Sequence, residues 1–190
     1  MQSHKFIVNF RNVMSNKYCS KNRICFADET LIKVLENNKE ITKCIKDVKK
    51  DEIVLVHNGK GKRYAKVLDN EAIEGDFEFY VIKAKNLKDP SKTKEVTITP
   101  EHIMIIFDDK KELKLVVAKE LKGNEIIDTE DGYHQIYEIN KKELKNKYKL
   151  SVKGGCVFAN GIFISTICTG DNTQDLKTTL EELTKFAKYN

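Results

Sequence analysis

Short runs rich in Val, Ile, Thr, Tyr and Phe recur along the chain, and Lys, Asp, Asn and Gly separate them. Runs of this kind predict β-strands, because β-branched and aromatic side chains suit a pleated, half-buried surface. In the first half strands are expected over Thr30–Leu35, Glu52–His57, Tyr64–Leu68 and Phe77–Ala84. Glu95–Thr99, Ile103–Phe107, Leu113–Val117 and Glu125–Asp128 follow, then Tyr133–Ile139, Tyr148–Val152, Cys156–Ala159 and Ile162–Ile167. Asn58-Gly59 and Asn160-Gly161 carry the signal of tight hairpin turns, and Lys88-Asp89-Pro90-Ser91 reads as a polar loop. The expected fold class is all-β.

One helix is expected, near the end. Asp171 with Gln174 three residues on resembles a capping box, and Leu176, Leu180, Leu183 and Phe186 then recur at helical spacing. The pattern also repeats internally. Asp47-Val48-Lys49-Lys50-Asp51-Glu52-Ile53-Val54 lines up with Glu120-Leu121-Lys122-Gly123-Asn124-Glu125-Ile126-Ile127, and each copy leads to an aromatic-headed strand at Tyr64 or Tyr133. A single spacing of about seventy residues is too long for a solenoid unit, so it points to two related halves of one β domain.

Composition narrows the function classes. The formal net charge of +5 is spread among Asp and Glu, as in Lys49-Lys50-Asp51-Glu52, rather than gathered into a stripe. That distribution speaks against nucleic-acid binding, which needs clustered charge. No apolar run approaches the ~20 residues of a membrane span. The opening residues lack the apolar core of a signal peptide, which predicts either a cytosolic protein or a piece of a longer precursor. Five cysteines (Cys19, Cys25, Cys44, Cys156 and Cys168) are widely spaced with no Cys-x-x-Cys pair, so neither a disulfide scaffold nor a zinc site is expected. No cofactor or metal is expected either, and a monomer is.

Two local features stand out chemically. Cys25-Phe26 precedes a turn and a strand, and Thr99-Pro100-Glu101-His102 joins two strands. Alone, each has an ordinary structural explanation. Together with their surroundings they resemble Hint domains, the self-cleaving modules of Hedgehog proteins and inteins. Cys25-Phe26-Ala27-Asp28-Glu29-Thr30-Leu31-Ile32 is similar to the first Hint motif, and Lys43 to Val54 to the "K-x-I-x-D-L-x-x-G-D-x-V" segment. Thr97-Ile98-Thr99-Pro100-Glu101-His102-Ile103 resembles "L-T-x-T-x-x-H-x-x", and Phe79-Tyr80-Val81-Ile82 the strand before it. Tyr148 through Ser165 resembles the closing Hedgehog segment, with Gly155, Asn160, Ile162 and Ser165 at its "G-x-x-x-x-N-x-V-x-x-S" positions. Order and spacing hold from Cys25 to about Cys168, some three-quarters of the chain.

The resemblance implies a pseudo-twofold horseshoe over 25–168, preceded by an upstream remnant (1–24) and followed by an amphipathic tail helix (169–190). It implies that the Cys25 thiol attacks the carbonyl of Ile24, so that the Ile24–Cys25 bond is replaced by an internal thioester. His102 would protonate the leaving amine, and Thr99 would hydrogen-bond the scissile amide or the oxyanion. Asp69 is the nearest match to the family's catalytic Asp. The partner is the chain's own upstream segment, with water, a thiol or a sterol alcohol as acceptor. The tail helix is a possible lipid contact, and the secretory pathway is the expected setting if the precursor is Hedgehog-like. A glycine precedes the cysteine in Hedgehogs. Ile24 stands here, and its β-branch is expected to slow attack. Two further readings stay open: a non-cleaving Hint fold that serves as a binding module, and a splicing intein, disfavoured because no His-Asn ending occurs near Cys168.

Overall fold

The computed structural model describes residues 24–57, 61–108 and 113–166. The expected tail helix, Cys19, Cys168 and most of the upstream segment lie outside these residues. Eleven strands are hydrogen-bonded into one antiparallel sheet system: β1 (Leu31–Glu36), β2 (Lys39–Cys44), β3 (Ile53–His57), β4 (Lys62–Asn86), β5 (Thr93–Ile98), β6 (Ile103–Phe107), β7 (Leu113–Val117), β8 (Ile126–Thr129), β9 (Gly132–Val152), β10 (Cys156–Ala159) and β11 (Ile162–Ser165). Single 3₁₀ turns follow β2 and β7, at Ile45–Asp47 and Ala118–Glu120.

The pairing scheme is that of two halves related by a pseudo-dyad. In the first half β1 pairs with β2, β3 and β10, and β3 pairs with β4. In the second, β6 pairs with β7, β8 and β11, and β8 pairs with β9. The two halves join along β4 and β9, which pair with each other over most of their length, and along β10 and β11. The sequence repeat maps onto this symmetry. The Glu52 carboxylate accepts the Lys49 N–H at 2.9 Å, and Glu125, 73 positions later, accepts the Lys122 N–H at 2.6 Å. Both shared Glu residues therefore tie down the loop that enters the next strand.

Two differences from the expected strands have physical reasons. The segments 64–68 and 77–84 are one strand, β4, and 133–139 and 148–152 are likewise one strand, β9. Their middles are charged and exposed, so no alternation marks them as strand. They pair with each other as a polar ribbon, with bulges between Ile73 and Asp76 and elsewhere. Gly75 sits in that bulge at φ +145°, and a Cβ there would meet the Phe77 ring at 2.9 Å. Strand β2 was not expected at all. Lys39–Cys44 is an edge strand with no buried residue, set by a tight turn at Asn37-Asn38, both with positive φ. The Asn160-Gly161 turn does form, with φ of 50° and 75°.

Alternation along the strands divides the apolar side chains between two clusters. The larger holds Phe26, Ile32, Val34, Val54, Ile82, Ile98 and Ile164 among others. The second lies on the opposite side of β6, β10 and β11: Ile103, Ile105 and Phe107 face it from β6, Cys156 and Phe158 from β10, and Phe163 from β11.

Candidate active site

The pseudo-dyad passes through the region that holds the candidate residues. Cys25–Ala27 runs antiparallel to Thr97–Thr99, with Phe26 opposite Ile98. Ala27 N–H donates to the Thr97 carbonyl at 3.1 Å and Thr99 N–H to the Cys25 carbonyl at 3.0 Å. Phe26 and Ile98 stand 72 positions apart, so each is the other's symmetry mate as well as its partner. The same offset relates Ala27 to Thr99 and Thr30 to His102. Thr30 N–H donates to Ala27 O, and His102 N–H to Thr99 O, at 3.1 and 3.0 Å. The fold thus builds the same backbone turn twice, with Ala27 and Thr30 in the first copy where the second has Thr99 and His102.

These side chains converge on Cys25. The Thr99 hydroxyl accepts the Cys25 backbone N–H at 3.0 Å and lies 3.3 Å from the Cys25 carbonyl, to which it donates. His102 is fully buried, with Nδ1 3.2 Å from the Cys25 carbonyl oxygen and Nε2 2.8 Å from that of Ser165. Its ring stacks edge-on against Phe26 at 4.5 Å between centroids. Thr99 therefore touches the nitrogen of the Ile24–Cys25 bond, whereas His102 contacts the carbonyl at the other end of Cys25.

Burial governs both titrating groups. It holds His102 down to about 4, against the two carbonyl contacts that favour a charged ring. A neutral imidazole donates from one nitrogen only, so one carbonyl contact has no proton. Burial also pushes the Cys25 thiol up to about 11, partly opposed by the ammonium groups of Lys147 and Lys149 and reinforced by Glu71. At neutral pH Cys25 is therefore a thiol and His102 a neutral imidazole.

The cross-strand register explains why those three charges act on the thiol. Phe26 pairs with Tyr148, which puts Lys149 across from Cys25, and Lys149 pairs in turn with Glu71. Lys147 is buried, with Nζ 3.9 Å from the Phe77 ring centroid, and Phe77 itself occupies the space over Gly75. Asp69 is not part of this group. It is exposed on β4 opposite Ser151, where its carboxylate accepts the N–H of Asn70. Glu71, two residues on, pairs with Lys149, and its charge adds a small upward push to the thiol. The sequence assigns no role to Glu71 or Lys147, and it places Ser165 in the closing motif without its contact to His102. Only the lysines flanking Tyr148 hinted at Lys147, a pattern too common in this chain to single it out, and nothing in the sequence marks Glu71. Cys156 is buried and its thiol is raised by burial alone. Among the described residues no group of three or more His, Cys, Asp or Glu side chains is arranged to hold a metal.

No protein-family model matches the sequence, and no curated protein matches it. Solved structures do match. A variant of the Ssp DnaB mini-intein superposes with a TM-score of 0.63 at 18% identity, covering 82% of this chain and 99% of that one. An intein from a hyperthermophile gives a TM-score of 0.60 at 14% identity, over 75% and 99% of the two chains. The bacterial intein-like domain from Clostridium thermocellum gives 0.57 at 15%, over 74% and 97%. With its dyad-related halves and long shared strands, the chain has the Hint fold, the fold of inteins.

Proposed function

We propose that the chain is a single-turnover autoprocessing domain that cleaves or transfers at its own Ile24–Cys25 bond. The observation that carries this is the Thr99 hydroxyl on the Cys25 amide nitrogen at 3.0 Å, with His102 on the same residue, inside a Hint fold.

The Cys25 sulfur attacks the Ile24 carbonyl carbon, an S–C bond forms, and the C–N bond breaks. The thiol proton must end on the departing α-amine, so the step needs a proton carrier rather than a net acid. A neutral His102 suits that role: it accepts the proton as the thiol attacks and returns it to nitrogen as the amine leaves. Thr99 holds the amide nitrogen in place and keeps the bond oriented. Lys147 and Lys149 stabilise the transient thiolate, which alone is nucleophilic. The resulting thioester passes to water, a thiol or an alcohol, a sterol among them, or to a nucleophile in a downstream part of the chain, as an intein-type reaction would require.

The test is the intact mass of the freshly translated full chain, with and without dithiothreitol. Loss of residues 1–24 from the wild type and not from Cys25→Ala is the expected result. An unchanged mass under both conditions overturns the proposal and leaves a non-cleaving Hint module.

A further inference from the structure

Ile24 is 6% exposed and belongs to the second apolar cluster, with Ile103, Cys156, Phe158 and Phe163. Every other described member of that cluster lies on a strand; Ile24 alone reaches it from outside the sheet. Two residues along, Phe26 is buried in the larger cluster instead. The residues on either side of Cys25 are thus anchored in two separate cores, with the Ile24–Cys25 bond between them. The β10–β11 hairpin that supplies Cys156, Phe158 and Phe163 also supplies the Ser165 carbonyl that holds His102 at 2.8 Å.

We infer that the second cluster is an acyl-side specificity pocket, selecting an aliphatic, β-branched-sized residue at position 24. The inference rests on the autoprocessing reading. Because the reaction is intramolecular, burial of Ile24 is present before and after attack and does not lower the barrier as binding energy. It acts by holding the Ile24 carbonyl in one orientation toward Cys25, the source of the effective-molarity advantage. Once the thioester forms, the same pocket keeps the acyl side chain seated and its carbonyl shielded from water.

Local sterics and the pocket predict opposite signs. Sterics alone make glycine at position 24 faster than isoleucine, since the β-branch crowds the carbonyl. The pocket makes glycine slower. Freshly translated full chains carrying Ile24→Val, Ile24→Leu or Ile24→Gly are compared with wild type for release of residues 1–24 in dithiothreitol, at a temperature where melting curves show each chain folded. Val and Leu are expected within about threefold of wild type, and Gly roughly tenfold slower or more. A second readout is the split between hydroxamate and free acid on the released fragment in hydroxylamine. It shifts toward acid in Ile24→Gly if the pocket excludes water, and a merely structural role leaves it unchanged. Glycine as fast as isoleucine, with an unchanged split, overturns the pocket while leaving autoprocessing intact. No release from wild type in either reagent overturns both.

Discussion

Thr99 has the most constrained side chain in the molecule's chemistry, because one hydroxyl serves both polar ends of Cys25. Thr99→Val keeps the shape and removes the oxygen that accepts the Cys25 N–H. Such a loss costs about 1–3 kcal/mol, and the release of residues 1–24 should slow by a comparable factor on the rate. An undiminished rate would show that the hydroxyl does not act on the scissile nitrogen. His102→Ala should slow the same step by ~10²–10⁴-fold, the usual worth of a positioned proton carrier. Lys147 has a different signature. Removing its charge in Lys147→Met leaves Cys25 with less opposition to burial, so the thiol ionises at still higher pH and the pH–rate curve moves alkaline. Lys147→Arg keeps the charge and should restore the wild-type profile. A curve that does not move in Lys147→Met would remove Lys147 from the mechanism.

At the scale of elements, the repeated Glu residues show how one sequence feature can be used with unequal weight. Glu52 accepts a single backbone N–H, from Lys49, and also accepts from the Lys43 ammonium at 2.7 Å. Glu125 is 9% exposed and accepts three, from Lys122, Gly123 and Asn124 at 2.6, 2.9 and 3.1 Å. Hydrogen bonds to a charged acceptor contribute about 1.5–3 kcal/mol, and exposed ones less. Glu125→Ala should therefore lower the urea midpoint clearly more than Glu52→Ala, and equal losses would contradict the asymmetry. Elements also differ in how legible they were. Ile103–Phe107 and Leu113–Val117 stand in the structure at the bounds their sequence suggested, because both bury alternate or all residues. The centres of β4 and β9 were read as breaks because each is polar in isolation. What makes them strands is mutual pairing, and no single segment encodes its partner. β2 escaped for the same reason: its six residues bury nothing and depend on β1 and the Asn37-Asn38 turn.

For the whole molecule, buried His102 and half-buried Asp128 set opposing responses to pH. His102 titrates near 4 when folded and near 6.5 when unfolded, so the unfolded chain takes up its proton first as pH falls. Stability from this group is present above about 6.5 and is lost on the way down to about 4, by roughly 3 kcal/mol. Asp128 on β8 is raised by burial from 3.8 to about 6. Here the unfolded chain loses its proton first as pH rises, so stability falls between about 4 and 6, again by roughly 3 kcal/mol. In that window the two terms offset each other. Asp128→Asn removes one of them. The variant should be more stable than wild type at pH 7 and should lose stability steadily as pH drops toward 4, as urea midpoints at several pH values would show. A variant with the wild-type profile would mean that Asp128 is better solvated than its position implies.

Local pattern alone determined the all-β class, most of the strands, the doubling of the domain and the order of its motifs. Each of these depends on periodicity or on residues near one another in the chain. That Cys25, Thr99 and His102 would come together was also legible, since their spacing resembles a known arrangement. The tertiary structure decided what each of them touches. It brought Thr99 to the Cys25 amide nitrogen and His102 to the Cys25 and Ser165 carbonyls, through a dyad that pairs positions 72 apart. It set Glu71 rather than Asp69 opposite Lys149, the lysine across from Cys25, because strand register across three chain segments chooses which charges line up with a given residue. It also seated Ile24, whose β-branch in the sequence signalled only crowding, in an apolar cluster of residues drawn from both halves of the chain.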